Sequence, residues 1–315
     1  MATYLVTGGA GFIGSNIVKA LSGRGEKVRV IDNLSTGKVE NLDWADGDVD
    51  FMKGDICDLQ TVEKAMQDVD FVIHLAALPS VPRSIADPIA SNRVNVEGTL
   101  NVLVAARDAK VRKYVMASSS SVYGDTPTLP KSEDMTASPQ SPYAISKFAG
   151  ERYAMNFQKI YGLPTIALRY FNVFGPQQDP NSQYSAVIPK FIKAMLHGEA
   201  PTIHGDGEQS RDFTYIENVI EANILACNSE AAGEFMNAAC GDRFTLNELV
   251  QKLENILGKS ANAVYQETRT GDVKHSQAAI EKAKNLIGFE PVVTFDEGLQ
   301  KTVDWYQRLE LAAAA

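Results

Sequence analysis

The chain has 315 residues, 44% apolar and 22% charged, which suits one large globular α/β domain or two joined ones. Thirty Lys and Arg against 39 Asp and Glu leave a formal charge of −9, which argues against a nucleic-acid surface but leaves room for a local basic pocket that binds a phosphate. Cys57, Cys227 and Cys240 form no CxxC and read as buried thiols in a reducing compartment. No apolar run approaches the roughly 18 residues of a membrane span, and the chain enters a strand at once. The expectation is therefore a cytoplasmic protein with neither signal peptide nor membrane contact.

In chain order, strands are expected at Tyr4–Thr7, Lys27–Ile31, Val49–Lys53, Phe71–Leu75 and Val111–Ala117, with helices between them at Phe12–Leu21, Leu59–Met66 and Asn92–Ala109. The strands are continuous apolar runs, as expected when both faces of a sheet are covered. Strand–helix alternation predicts right-handed crossovers and an α/β, Rossmann-type, doubly wound parallel sheet. A helix at Tyr143–Ile160 and a strand at Thr165–Tyr170 extend it. After "FNVFGP" the texture turns to Gly, Pro, Asn and Asp, then to short elements ending in helices at Leu246–Leu257 and Phe295–Leu309. The division expected is a first domain over 1–174, with 213–228 returning to it, and a smaller mixed α/β C-terminal substrate domain over 175–212 and 229–311.

"LVTGGAGFIGS" sets Gly9, Gly11 and Gly14 in GxGxxG spacing after a strand and at the opening of a helix. Such glycines permit a tight turn and close approach to a pyrophosphate, and the helix start offers free N–H groups. Asp32 ends the second strand, 18 residues after Gly14. An acid there accepts hydrogen bonds from ribose hydroxyls and repels a 2′-phosphate, so the cofactor expected is NAD rather than NADP.

"SSSSVYG" (Ser118–Gly124) follows a buried strand, where doubly wound folds bind ligands. Downstream, "SPYAISKFAGE" places Tyr143 and Lys147 four apart, on one helix face. A free phenol is too weak a base at neutral pH, and a nearby ammonium and an oxidised nicotinamide would both lower its pKa. Tyrosine could then take a proton from a sugar or alcohol hydroxyl as hydride leaves the carbon, with a serine holding the same oxygen. No GxSxG elbow surrounds the serines, so an esterase is excluded. His74, His197, His204 and His275 lack metal-ligand spacing; they read as core or surface residues, and no metal is expected.

Together "TGGAGFIG", "HLAA", "SSSSVYG", "YAISK", "LRYFNVFGP", "GDGEQSRDF" and "RTGD" resemble the extended short-chain dehydrogenase/reductase family, and within it the nucleotide-sugar epimerases, over essentially the whole chain. "SVPRSIADP" and "QDPNSQYSAVIPKF" resemble the subgroup acting on UDP-N-acetylglucosamine at C4. The resemblance implies that Gly8, Gly11, Phe12, Ile13 and Gly14 hold the NAD pyrophosphate, Asp32 and Asn33 the adenosine ribose, and Asp55 and Ile56 the adenine, while Leu75, Ala76 and Ala77 line the nicotinamide half. It implies Ser119, Tyr143 and Lys147 as the catalytic set. Ser80, Ser120, Ser121 and Ser276 would face the sugar, and Asn172, Ala186, Val187, Arg211, Arg269 and Asp272 the UDP moiety. Pro79 departs from the glycine usual in acetylated-sugar epimerases. The resemblance further implies a homodimer through a four-helix bundle of Asn92–Ala109 and Tyr143–Ile160.

Three other functions compete. A 4,6-dehydratase needs an Asp–Glu pair where Ser120 and Ser121 stand. A UDP-glucuronate 4-epimerase or decarboxylase needs a cation for the sugar carboxylate, a part Arg83 could fill. A non-catalytic NAD-sensing protein need not keep Ser119, Tyr143 and Lys147.

Overall fold

The computed structural model describes residues 1–45, 47, 49–180, 186–268 and 274–314. Its first half carries strands β1 (Thr3–Thr7), β2 (Lys27–Asp32), β3 (Val49–Lys53), β4 (Phe71–His74), β5 (Lys113–Ser119) and β6 (Thr165–Tyr170). Helices α1 (Phe12–Gly23), α2 (Leu59–Ala65), α3 (Val81–Ala86), α4 (Pro88–Asn92), α5 (Thr99–Asp108) and α6 (Pro142–Tyr161) alternate with them. The second half contributes β7 (Val173–Phe174), α7 (Val187–Leu196), β8 (Thr202–His204), β9 (Ser210–Arg211), β10 (Thr214–Tyr215), α8 (Ile216–Asn228), β11 (Glu234–Ala238), β12 (Phe244–Thr245), α9 (Leu246–Leu257), β13 (Val264–Gln266), α10 (Glu281–Ile287) and α11 (Phe295–Ala314).

Seven strands form one parallel sheet in the order β11-β6-β5-β4-β1-β2-β3. The run β4, Phe71–His74, is buried along its length because helices cover both faces. The order reverses between β1 and β4, and this switch point opens a crevice at the carboxyl ends of the strands. Register lines those ends up: Thr7 pairs with Ile31 and with His74, and Ser119 with Tyr170. Strand β11 lies in 229–311, the stretch expected in the second domain. Instead it pairs with β6 from Glu234↔Ile166 to Ala238↔Tyr170 and so belongs to the first domain's sheet.

The helix expected over Asn92–Ala109 divides into α4, a wider π turn over Arg93–Gly98, and α5. The turn swings the Asn95 side chain onto the loop after β4. Its Oδ1 accepts from Leu78 N–H at 2.8 Å, and its Nδ2 donates to Leu78 O at 3.1 Å and to Ser146 Oγ at 3.0 Å.

Beyond β6, apart from β11, the described strands pair only in twos: β7 with β10, β9 with β12, β8 with β13. Side chains rather than ladders hold this part. Phe295 stacks on Phe213 (5.3 Å) and Phe244 (4.3 Å) and meets Phe174 edge-on at 5.5 Å. The same buried cluster runs from Val6 and Ile17 to Phe191 and Leu249, so one core joins both halves. Among the described residues no helix is long and apolar enough to cross a membrane.

Candidate active site

The glycine loop leaves β1 and enters α1 at the switch point. Gly8 has φ +70°, and a Cβ there would lie 2.8 Å from Ala76 N; a Cβ on Gly14 would lie 2.2 Å from Gly8 O. Only glycine fits this close approach of loop, helix and following strand. Gly11 caps α1 without a side chain, so the first-turn N–H groups of Phe12, Ile13 and Gly14 face outward unblocked by a side-chain acceptor.

Asp32 is nearly buried. Its Oδ2 accepts from Ala10 N–H at 3.0 Å and its Oδ1 from Leu34 N–H at 2.8 Å. Each oxygen keeps acceptor capacity for a hydroxyl. Asn33 Nδ2 donates to Asp55 Oδ2 at 3.1 Å, bringing two expected cofactor residues together beside buried Ile56. Burial works against the Asp55 carboxylate, but hydrogen bonds from Cys57 and Asn33 overcome it and hold the group below its ordinary pKa. The crevice thus offers a side-chain-free cradle for a pyrophosphate, with a carboxylate held beside it by the loop's Ala10 N–H, which fits a dinucleotide.

Across the switch point lies the loop of Leu75, Ala76 and Ala77. Thr7 Oγ1 accepts from the Leu75 and Ala76 N–H groups, both at 3.2 Å, and donates to His74 Nδ1 at 2.7 Å. Thr99 Oγ1 gives its hydrogen to Asn95 O at 2.7 Å, so His74 Nε2 must donate to Thr99, at 2.9 Å. Burial, with the Lys147 ammonium nearby, pushes His74 down to about 3, so the ring stays neutral. His74 is a core histidine, as expected, but one with both nitrogens engaged in a line of bonds that Asn95 and Ser146 continue to the carbonyl of Tyr143.

Ser119 ends β5 and caps the short 3₁₀ turn Ser120–Tyr123. Its Oγ accepts from Ser121 N–H at 3.2 Å and from Ser121 Oγ at 2.8 Å, leaving its own hydrogen for the Tyr143 phenol, with which it is bonded. Ser121 therefore supports Ser119. Ser118, the other flank, donates to Glu151 Oε2 at 2.9 Å.

Tyr143 and Lys147 stand one turn apart on α6, whose start Ser141 caps. Burial lowers Lys147 to about 8, so it is mostly ammonium at neutral pH. The expectation of a lowered phenol needs correction for the protein's own groups. The tyrosine ring shows some surface at the crevice, yet burial raises the Tyr143 phenol, and the bond to Ser119 is the opposing influence.

The second half provides a cavity of about 480 Å³ lined by Asn172, Ala186, Val187, Lys190, Phe191, Arg211 and Phe213, among others. Four expected UDP residues, Asn172, Ala186, Val187 and Arg211, meet here. Ala186 caps α7 without a side-chain bond, so open N–H groups point from that helix start. Arg211 Nη1 donates to Ser210 O (2.9 Å) and Lys274 O (3.1 Å). Ser276 is 9% exposed and donates its N–H to Ser210 O at 3.0 Å, beside this wall though not in the cavity lining. Ser80 caps α3 in a left-handed backbone, φ +95°. Arg269 and Asp272 lie outside the described residues. Among the described residues no cluster of His, Cys, Asp or Glu is built to hold a metal.

The Epimerase profile, described as the NAD dependent epimerase/dehydratase family, matches residues 4–239. A solved UDP-N-acetylglucosamine 4-epimerase from Methanobrevibacter ruminantium M1, in complex with UDP-N-acetylmuramic acid, is 44% identical, with TM-score 0.94 over 98% of this chain and 99% of that one. The UDP-glucose 4-epimerase of Mycolicibacterium smegmatis is 38% identical over 307 residues, 96% of this chain and 98% of the relative. The UDP-glucuronate 4-epimerase of Thermodesulfobacterium geofontis is 35% identical, covering 97% of this chain and 96% of its own length. A match over most of the chain, on top of the glycine cradle, Asp32 and the Ser–Tyr–Lys set, means that the chain belongs to the NAD dependent epimerase/dehydratase family. It is an enzyme of the UDP-sugar 4-epimerase group of that family, and NAD is its cofactor.

Proposed function

We propose that this enzyme interconverts UDP-GlcNAc and UDP-GalNAc, and also UDP-Glc and UDP-Gal, by transient oxidation at C4. Bound NAD supplies the reversible two-electron acceptor. Tyr143 takes the C4 hydroxyl proton and later returns it, while Ser119, oriented by Ser121, holds the sugar oxygen. Lys147 contributes positive charge and a ribose contact. The glycine loop and α1 hold the pyrophosphate, Asp32 and Asn33 the adenosine ribose, and the cavity at Asn172, Ala186, Val187 and Arg211 the uridine and phosphates. After oxidation the 4-keto sugar turns over and is reduced on its other face, so no net redox results.

The observation that carries the acetylated substrate is Ser276. By the family resemblance its position closes over the C2 substituent, and here it is a small side chain tied to the Arg211 strand through Ser210. A serine leaves room for an acetamide where an aromatic ring would exclude it. Purified enzyme should convert UDP-GlcNAc as well as UDP-Glc. Ser276→Tyr should abolish turnover of the acetylated pair and spare the other; equal rates for both pairs in the variant would remove Ser276 as the gate. A uronate specificity would rest on Arg83 of α3, and UDP-glucuronate as sole substrate in the same assay separates it. Exposed Ile85, Ile89, Ile145 and Ile160 leave apolar surface on α3, α4 and α6, which supports a homodimer through this face; sedimentation decides it.

A further inference from the structure

Asp212 follows Arg211 and is completely buried. Among the described residues no cation pairs with its carboxylate. Three backbone donors meet it instead. Oδ1 accepts from Cys240 N–H at 3.0 Å, and Oδ2 from Gly241 N–H at 3.0 Å and Ala278 N–H at 3.1 Å. Its carbonyl accepts from Asn172 Nδ2 at 3.3 Å. One side chain therefore ties the 240–241 turn and the 274–279 segment to the strand bearing Arg211.

Two of the joined segments carry residues of the proposed sugar-nucleotide wall: Arg211 on the strand and Ser276 in the 274–279 segment. Ala278 lies two residues past Ser276. That segment also runs along Ser210, with Ser210 N–H to Lys274 O and Ser276 N–H to Ser210 O both at 3.0 Å, and Ser210 Oγ to His275 Nδ1 at 2.9 Å. Arg211 reaches the Lys274 carbonyl. None of these contacts touches the glycine loop, Asp32 or α6.

We propose that Asp212 is the positioning residue of the UDP-sugar grip: its carboxylate sets Arg211 and Ser276 at their working separation, and its backbone carbonyl holds Asn172, without touching the substrate. The inference rests on the UDP-sugar reading of the site. In its ionised form a carboxylate suits the task, because it then accepts everywhere and donates nowhere, so three N–H donors converge on it without conflict. An amide of the same shape has one accepting oxygen, and its NH₂ would face an N–H donor.

The test compares the full-length enzyme with Asp212→Asn. Calorimetry measures UDP and NAD binding separately, and kinetics separate KM from kcat. The variant should weaken UDP and raise the UDP-sugar KM by roughly tenfold or more, with NAD affinity and kcat within about threefold. A merely structural role would lower kcat per total protein and weaken both ligands together, which overturns the proposal, as does unchanged UDP affinity. Failure of the unsubstituted enzyme to bind UDP would instead overturn the substrate reading beneath it. A second measurement needs no variant: hydrogen exchange on the unsubstituted enzyme should show UDP, but not NAD, protecting the amides of 240–241 and 276–279. Equal protection by NAD, or none by UDP, would refute the coupling.

Discussion

Two carboxylates are completely buried behind the crevice, and they are compensated in opposite ways. Glu151, behind the serine-ended strand, is met by charge. Arg169 donates to it twice, at 2.9 and 2.8 Å, Arg152 once at 2.8 Å, and Ser118 once at 2.9 Å. The Arg169 guanidinium in turn lies 4.6 Å from the Tyr123 ring and 4.4 Å from Phe235. Asp212, behind the proposed nucleotide cavity, is met among the described residues by backbone N–H groups alone. The difference suits the two tasks. The proposed chemistry at Ser119 and Tyr143 needs a rigid floor, which long parallel strands and an ion pair provide. The proposed substrate wall is assembled from short strands and loops, so one acceptor must gather segments that no continuous ladder joins.

The largest expected effect is on the floor's chemistry. Tyr143→Phe should cut turnover by about 10²–10⁴-fold, as loss of a general base does, with NAD still bound; stopped assays with product analysis read it. An active phenylalanine variant would move the base elsewhere.

Next comes the floor itself. Glu151→Ala leaves Arg169 buried without its partner and should cost about 3–5 kcal/mol in urea unfolding, more than Asp212→Asn does. If Asp212→Asn proved the more destabilising, the contrast between a charge-paired floor and a dipole-held wall would be reversed.

On the cofactor side, Asp32→Ala should weaken NAD by roughly ten- to a hundredfold, since charge-assisted hydrogen bonds to the ribose are lost, and should reduce discrimination against NADP. Titration with both nucleotides measures it.

The smallest effect sharpens the contrast by pH. Burial pushes Asp212 up to about 7 against three opposing N–H bonds, with the neighbouring Asp242 charge adding to the rise. The folded protein then binds more protons than the unfolded chain between about pH 4 and 7, so Asp212 should make stability fall as pH rises through that window. Urea midpoints of the unsubstituted enzyme should decline relative to Asp212→Asn from pH 4 to 7 and run parallel above it. A relative rise would mean that the backbone donors win and the carboxylate is ionised throughout.

Local sequence determined much of this enzyme. Continuous apolar runs set six parallel strands to within two residues, because burial on both faces demands them. The glycine spacing, Asp32 and the four-residue interval from Tyr143 to Lys147 were legible because each role depends on neighbours within one turn or one strand end. Strand β11 was not legible: Glu234–Ala238 is short and partly exposed, and only pairing with β6 makes it a strand. The roles of His74, Glu151 and Asp212 were equally hidden. Their partners lie 25, 18 and 66 residues away, at Thr99, Arg169 and Ala278, and no local pattern records which distant donor a buried side chain will meet. Those choices belong to tertiary packing, because a buried polar group must be satisfied by whatever the fold brings to it.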